Sequence, residues 1–102
     1  MFPGRGESVR LWADRKALAG KTVIVRGKVV KFNGGILGLN WTHIQDGSGS
    51  EKDGTHDLTI TSVGDARVGD VVTVTGTVFI DKDFTAGYFF PVIIQNATIV
   101  VK

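Results

Sequence analysis

Two segments of the chain share one pattern of branched apolar residues around a central glycine. The motif Val-x-Val-x-Gly-x-Val occurs at residues 23–29 and again at residues 72–78. Apolar residues at every second position are typical of a strand with one buried face, and a glycine on that face marks a bend or a bulge. Two strands that bend in the middle favour a small sheet that curls into a closed barrel.

The composition agrees with one all-β domain. Val, Ile and Thr, whose branched side chains favour strands, number 14, 8 and 10 among 102 residues, and 14 glycines provide for tight turns. We expect a flexible tail over residues 1–7 and a single domain over 8–102. Within it we predict a short N-terminal helix at 9–19 and strands at about 22–32, 40–45, 57–62, 71–80 and 92–101, with the first strand broken by the glycines at 34 and 35.

Several classes of site are excluded or disfavoured by what the sequence lacks. The chain has no cysteine, which excludes a disulfide scaffold, a thiolate metal site and a thiol nucleophile. His43 and His56 have no third metal ligand at a recognisable spacing, and Asp81-x-Asp83 lacks the remainder of a calcium loop. We therefore expect no metal, no cofactor and no enzymatic activity.

No apolar run is long enough to span a membrane, and the first six residues lack the apolar core of a secretory signal. The compartment stays open: cytoplasmic or, if the chain is a domain excised from a longer protein, periplasmic or exported.

Charge is distributed unevenly along the chain. Residues 1–31 contain eight Lys or Arg and two acidic residues, whereas residues 32–102 contain four and eight. Such asymmetry indicates either a surface that faces an anionic partner or two neighbouring surfaces that neutralise each other.

The segments at 20–29, 41–49, 58–61 and 68–78 together resemble an OB-fold domain, a five-stranded Greek-key barrel. The pattern is similar to that of class II synthetase anticodon-binding domains, of replication-protein-like modules and of small bacterial OB domains, often exported, that are labelled nucleic-acid-binding. It departs from the synthetase pattern at Gln45, where arginine is common, and in the short connector before the fourth predicted strand. The resemblance implies a binding surface on the second and third strands.

On that surface, alternation places Trp41, His43, Gln45, Thr59 and Thr61 outside the barrel. An exposed Trp41 offers a face on which a base can stack, and His43 and Gln45 offer hydrogen bonds to its edge. Arg26 and Lys28 are candidate phosphate contacts, and Tyr88 belongs to an aromatic cluster with Phe84, Phe89 and Phe90. The leading hypothesis is single-stranded DNA or RNA binding without catalysis. In the alternative structural interpretation, the loop at 33–39 or a neighbouring chain covers Trp41.

A second functional hypothesis is an exported module that binds another protein or a small ligand. Glu51, Asp53, Asp81 and Asp83 lie in predicted loops and would repel a phosphate backbone, which favours this hypothesis. Pairing of two copies through an edge strand or the Trp41 face is a third, so the oligomeric state stays open.

Overall fold

Strands account for most of the chain in the computed structural model, which describes residues 7–84 and 88–101. The predicted all-β class is therefore confirmed. The elements in chain order are α1 (Glu7–Ala13), α2 (Arg15–Leu18), β1 (Thr22–Ile36), β2 (Leu39–Gln45), β3 (Asp57–Ser62), β4 (Val71–Asp83) and β5 (Phe89–Val101). Among the described residues, no helix combines the length and the apolar character needed to cross a bilayer.

The five strands close into a barrel in the order β1-β2-β3-β5-β4. Neighbouring strands are antiparallel except β3 and β5, which pair in parallel. The long strand β1 serves two neighbours, because residues 22–28 pair with β4 and residues 28–36 pair with β2. This change of partner within one strand brings the two edges of the sheet together.

Both predicted bends lie at the central glycines of the shared motif. Gly27 lies where β1 passes from β4 to β2, and a Cβ there would lie 2.9 Å from the carbonyl oxygen of Gln45. Gly76 lies at a register shift between β4 and β5, where a Cβ would approach Cγ2 of Ile94 to 2.6 Å. Neither position has room for a side chain, so the strands can pack this closely only through glycine.

The barrel interior is filled by the alternating apolar residues of all five strands. α1 covers one end, where Leu11 joins the core and Nε1 of Trp12 donates a hydrogen bond to the carbonyl oxygen of Asp57 (2.9 Å). The connector before β4 contributes Ala66. The strand residues of this core are Val25, Val29, Ile44, Leu58, Ile60, Val72, Val74, Val78, Val92 and Ile94.

The helical region differs from the single helix predicted over 9–19. α1 begins at Glu7, within the segment predicted as a tail, and ends at Ala13 before α2 starts at Arg15. The start of α1 is fixed by the turn after β2, because the backbone N–H of Ser8 donates to Oδ2 of Asp46 (3.0 Å). The rest of the predicted tail, residues 1–6, lies outside the described residues.

The prediction that glycines at 34 and 35 break the first strand is wrong. β1 continues to Ile36, which pairs with Leu39 in a hairpin with β2. The register shifts between Asn33 and Ile36, where Oδ1 of Asn40 accepts a hydrogen bond from the N–H of Gly35 (3.0 Å). Likewise β4 and β5 stay paired beyond the predicted ends, as far as Asp83 and Phe89. Two hairpins therefore extend from the barrel: the β1–β2 hairpin and the β4–β5 hairpin.

We predict that Gly76→Ala lowers the free energy of unfolding by about 1–3 kcal/mol, because the added methyl group overpacks the contact with Ile94. Urea unfolding monitored by circular dichroism measures the change. Gly64→Ala is the matched control, since its new Cβ meets only ordinary contacts at 3.7 Å or more. Equal stability of the two variants would contradict the packing argument.

Candidate functional site

Strand register arranges three rows of side chains on the outer face of β1, β2 and β3. These residues alternate with the core residues and therefore point away from the barrel interior. The face gathers six of the predicted site residues: Lys28, Trp41, His43, Gln45, Thr59 and Thr61. The rows are Lys28–Gln45–Asp57, Lys31–His43–Thr59 and Asn33–Trp41–Thr61.

Trp41 lies on this face but is only 6% exposed and lies outside the core cluster of the barrel. Its Nε1 donates a hydrogen bond to the carbonyl oxygen of Ile36 (2.9 Å). The rings of Phe84 and Phe90 lie 5.1 and 5.5 Å from the indole, the first edge-on. The expectation that Trp41 offers an open stacking surface is therefore wrong, because both extended hairpins cover the ring.

Thr59 and Thr61 are also covered, being 6% and 1% exposed. Alternation along β3 places both residues on the outer face of the sheet, as predicted. Thr61 lies directly across from the buried Trp41 on the neighbouring strand. Neither hydroxyl is open to a ligand, so their predicted role as direct contacts is not available in this structure.

A pocket of about 300 Å³ opens between the two extended hairpins. Its size is at the lower end of the range for small-molecule sites. Most of its lining is apolar or aromatic, and its polar side chains come from Lys31, Asn33 and His43. The remaining lining residues are Ile36, Leu37, Trp41, Phe84, Tyr88 and Phe90. Such a lining suits a flat apolar group that carries polar atoms at its edge.

His43 is oriented by a carboxylate beside the pocket. Its Nδ1 lies 2.8 Å from Oδ2 of Asp57, whose other oxygen accepts a hydrogen bond from Nε2 of Gln45 (3.3 Å). Because a carboxylate only accepts, the neutral ring carries its hydrogen on Nδ1 and keeps Nε2 as an acceptor. Oγ1 of Thr59 also lies near Nδ1, at 3.3 Å. The network fixes both the orientation and the tautomer of the ring.

The predicted cations lie on β1 at increasing distance from the pocket. Lys28 is exposed in the row next to His43, and Arg26 follows two residues away where β1 pairs with Thr73 of β4. Successive rows along a strand are about 6.7 Å apart. Lys31 lines the pocket itself. Lys31, Lys28 and Arg26 therefore form a row of basic residues that leads away from the pocket along β1.

Three members of the predicted aromatic cluster line the pocket. Phe84 and Phe90 pack on Trp41, and Tyr88 lines the pocket with 54% of its surface exposed. Thr85, Ala86 and Gly87, which belong to the predicted loop, lie outside the described residues. No sequence signal identifies Asn33, Ile36 and Leu37 as lining residues, because they fall in a predicted loop. Asp57 is not identified either, because its position opposite Gln45 follows only from the register.

In the described ranges, no group of three or more His, Asp or Glu side chains is placed to hold a metal ion. Comparisons of the chain with protein-family models, with curated proteins and with solved structures gave no match.

We predict that Trp41→Ala lowers the free energy of unfolding by about 3 kcal/mol or more, because the buried indole joins both hairpins. Tyr88→Ala, which truncates an exposed ring of the same pocket, is expected to cost about 0.5 kcal/mol or less. Chemical denaturation of the three proteins tests this. A Trp41 variant as stable as the Tyr88 variant would indicate an indole that is open in solution.

We also predict that neutral His43 carries its hydrogen on Nδ1, because Asp57 accepts from that atom at 2.8 Å. Long-range proton–nitrogen correlation spectra distinguish the two tautomers. Asp57→Ala removes the acceptor and is expected to shift the population towards the Nε2–H form. A wild-type ring found mainly in the Nε2–H form would contradict the proposed orientation.

Proposed function

We propose that this chain is an OB-fold module that binds single-stranded nucleic acid without catalysing a reaction. The strand order β1-β2-β3-β5-β4, with only the β3–β5 pair parallel, supports the OB assignment. OB-folds bind their ligands on the face of strands two and three, beside the loops that follow strands one and four. The pocket described above lies between the corresponding two hairpins.

The observation that carries the proposal is an aromatic-walled pocket next to a line of cations. A nucleobase has apolar faces that pack against rings such as Tyr88, and contacts of this kind contribute about 1–3 kcal/mol per base. Its polar edge can reach the amide of Asn33 and Nε2 of His43, both of which belong to residues of the lining. One base in the pocket therefore satisfies both the apolar and the polar parts of the site.

In this proposal, the phosphates of the bound nucleic acid lie along β1. Lys31 contacts the phosphate nearest the pocket, Lys28 contacts the next phosphate, and Arg26 lies beyond it. Neutralising phosphates releases counterions, so the binding constant falls as salt rises. Compared with the sequence hypothesis, Trp41 becomes part of the pocket wall rather than an open platform, and Lys31 joins the phosphate contacts.

The absence of catalysis is part of the proposal, in which His43 contacts the ligand through Nε2. A histidine–carboxylate pair needs a reachable nucleophile or an activated water to catalyse transfer. The hydroxyl near this ring is that of Thr59, which is buried and lies on the Asp57 side of the imidazole. We assign His43 to ligand contact.

A second candidate function is the binding of an apolar side chain of a partner protein. The exposed rim of the site favours it, since Leu37 and Tyr88 are 67% and 54% exposed. Such binding would depend little on salt, because it buries apolar surface rather than neutralising phosphates. The salt dependence of binding therefore distinguishes the two candidates.

We predict saturable binding of a labelled oligothymidylate of about 12 nucleotides at low salt, measured by fluorescence anisotropy. In the Lys28→Ala/Lys31→Ala variant, the slope of log K against log salt is expected to decrease in magnitude by about 1.4, because each lost phosphate contact reduces that slope by about 0.7. Lys16→Ala, on the exposed part of α2, is the control and is expected to keep the wild-type slope.

Two results would overturn this function. The first is no saturable anisotropy change at low salt. The second is binding whose salt dependence is the same in the double variant and in the wild type, which would place the phosphates elsewhere on the surface.

A further inference from the structure

The turn at the tip of the β1–β2 hairpin places a leucine in an unfavourable backbone conformation. Ile36 pairs with Leu39, so the turn consists of Leu37 and Gly38, and their φ angles are 55° and 76°. Hairpin turns with positive φ at both central residues strongly prefer Asn-Gly or Asp-Gly. A leucine in the left-handed region is strained, because its Cβ approaches the following carbonyl oxygen.

Leu37 stands out among the other residues with positive φ. In residues 7–84 and 88–101, the other two that are not glycine are Asp81 and Asn96. Asp and Asn are the residue types other than glycine that adopt this conformation most readily, because a short polar side chain can bond to the nearby backbone, whereas leucine has no such compensation. Asp81 and Asn96 thus suit the left-handed conformation, whereas Leu37 does not.

The rest of the hairpin prevents this turn from relaxing. The carbonyl oxygen of Ile36 accepts the indole hydrogen bond of Trp41, and the N–H of Gly35 donates to the side chain of Asn40. Nδ2 of Asn40 in turn donates to the carbonyl oxygen of Gly64 (3.0 Å). These bonds hold the residues before and after Leu37, so the strained backbone is imposed by its surroundings.

Leu37 is unfavourable in a second way, because 67% of its surface is exposed at the mouth of the pocket. An exposed apolar side chain gains nothing from burial, and here it is held in a strained turn as well. Two unfavourable features at one residue of a candidate site point to a role in binding rather than in folding.

We propose that Leu37 is a ligand-contact residue whose side chain packs on the face of the nucleobase in the pocket. This inference rests on the proposed function and adds to it the source of the affinity that does not depend on salt. Lys28 and Lys31 contribute through the phosphates, whereas Leu37 contributes by burying apolar surface between itself and the base. The held turn keeps the side chain in place before the ligand arrives, which lowers the entropy lost on binding.

The decisive variant is Leu37→Asn, which suits the turn but removes the apolar contact. We expect its midpoint of thermal unfolding to rise by about 5 °C as the strain is relieved. We expect its affinity for the oligothymidylate to fall about tenfold, while the slope of log K against log salt stays at the wild-type value. Opposite changes in stability and affinity from one substitution are not expected of a residue that only shapes the turn.

Two further variants serve as controls. Leu37→Met keeps an apolar side chain in the strained turn and is expected to retain the wild-type affinity within about twofold, with no gain in stability. Val63→Asn makes a similar change at a residue that is 85% exposed and outside this pocket, and is expected to leave affinity unchanged.

The outcomes separate this inference from the proposed function. If the wild type binds the oligothymidylate and Leu37→Asn binds equally well, the role of Leu37 is wrong and the proposed function stands. If Leu37→Asn changes the salt slope, the residue acts through the phosphate contacts and the inference is also wrong. No binding by the wild type overturns both.

Discussion

The indole of Trp41 joins the two hairpins that extend from the barrel. Its N–H bonds to the β1–β2 hairpin at Ile36, and its ring packs against Phe84 and Phe90 in the extended part of the β4–β5 hairpin. Because the ring is buried on the outer face of the sheet, it acts as a small second core outside the barrel. The pocket exists between the hairpins because this contact holds them in place.

The inner face of the sheet forms the core, and the outer face forms the candidate site. The inner face packs branched aliphatic residues around Gly27 and Gly76, which allow the strands to curl and close. The outer face places His43 and the basic residues of β1 at fixed positions relative to the pocket. A site built on strands in this way is held more firmly than one built on loops alone, which favours binding without a large rearrangement.

Much of the fold could be predicted from local pattern. The alternation around Gly27 and Gly76 predicts two bent strands, and the outward direction of Trp41 and His43 follows from their spacing along β2. The pattern does not show what lies above an outward residue, since Phe84 and Phe90 are more than 40 positions from Trp41 in the chain. For the same reason the length of the β1–β2 hairpin does not follow from the sequence, because the pairing of Ile36 with Leu39 and the bond from Gly35 to Asn40 form only in the folded hairpin. The left-handed turn at Leu37 could not be predicted either, because its residue type argues against that conformation.

Binding at the pocket is tested most directly by a titration of the protein with oligothymidylate in which nuclear magnetic resonance records the amide and indole proton signals. The two indole N–H signals form an internal comparison, since Nε1 of Trp41 lies at the pocket and Nε1 of Trp12 is bonded to the carbonyl oxygen of Asp57. If the ligand binds beside Trp41, the Trp41 signal and the amides of residues 31–43 and 88–90 shift saturably together, while the Trp12 signal stays in place. Saturable shifts confined to α1 and the Trp12 indole, or no shift at either indole at saturating ligand, would exclude binding at this pocket.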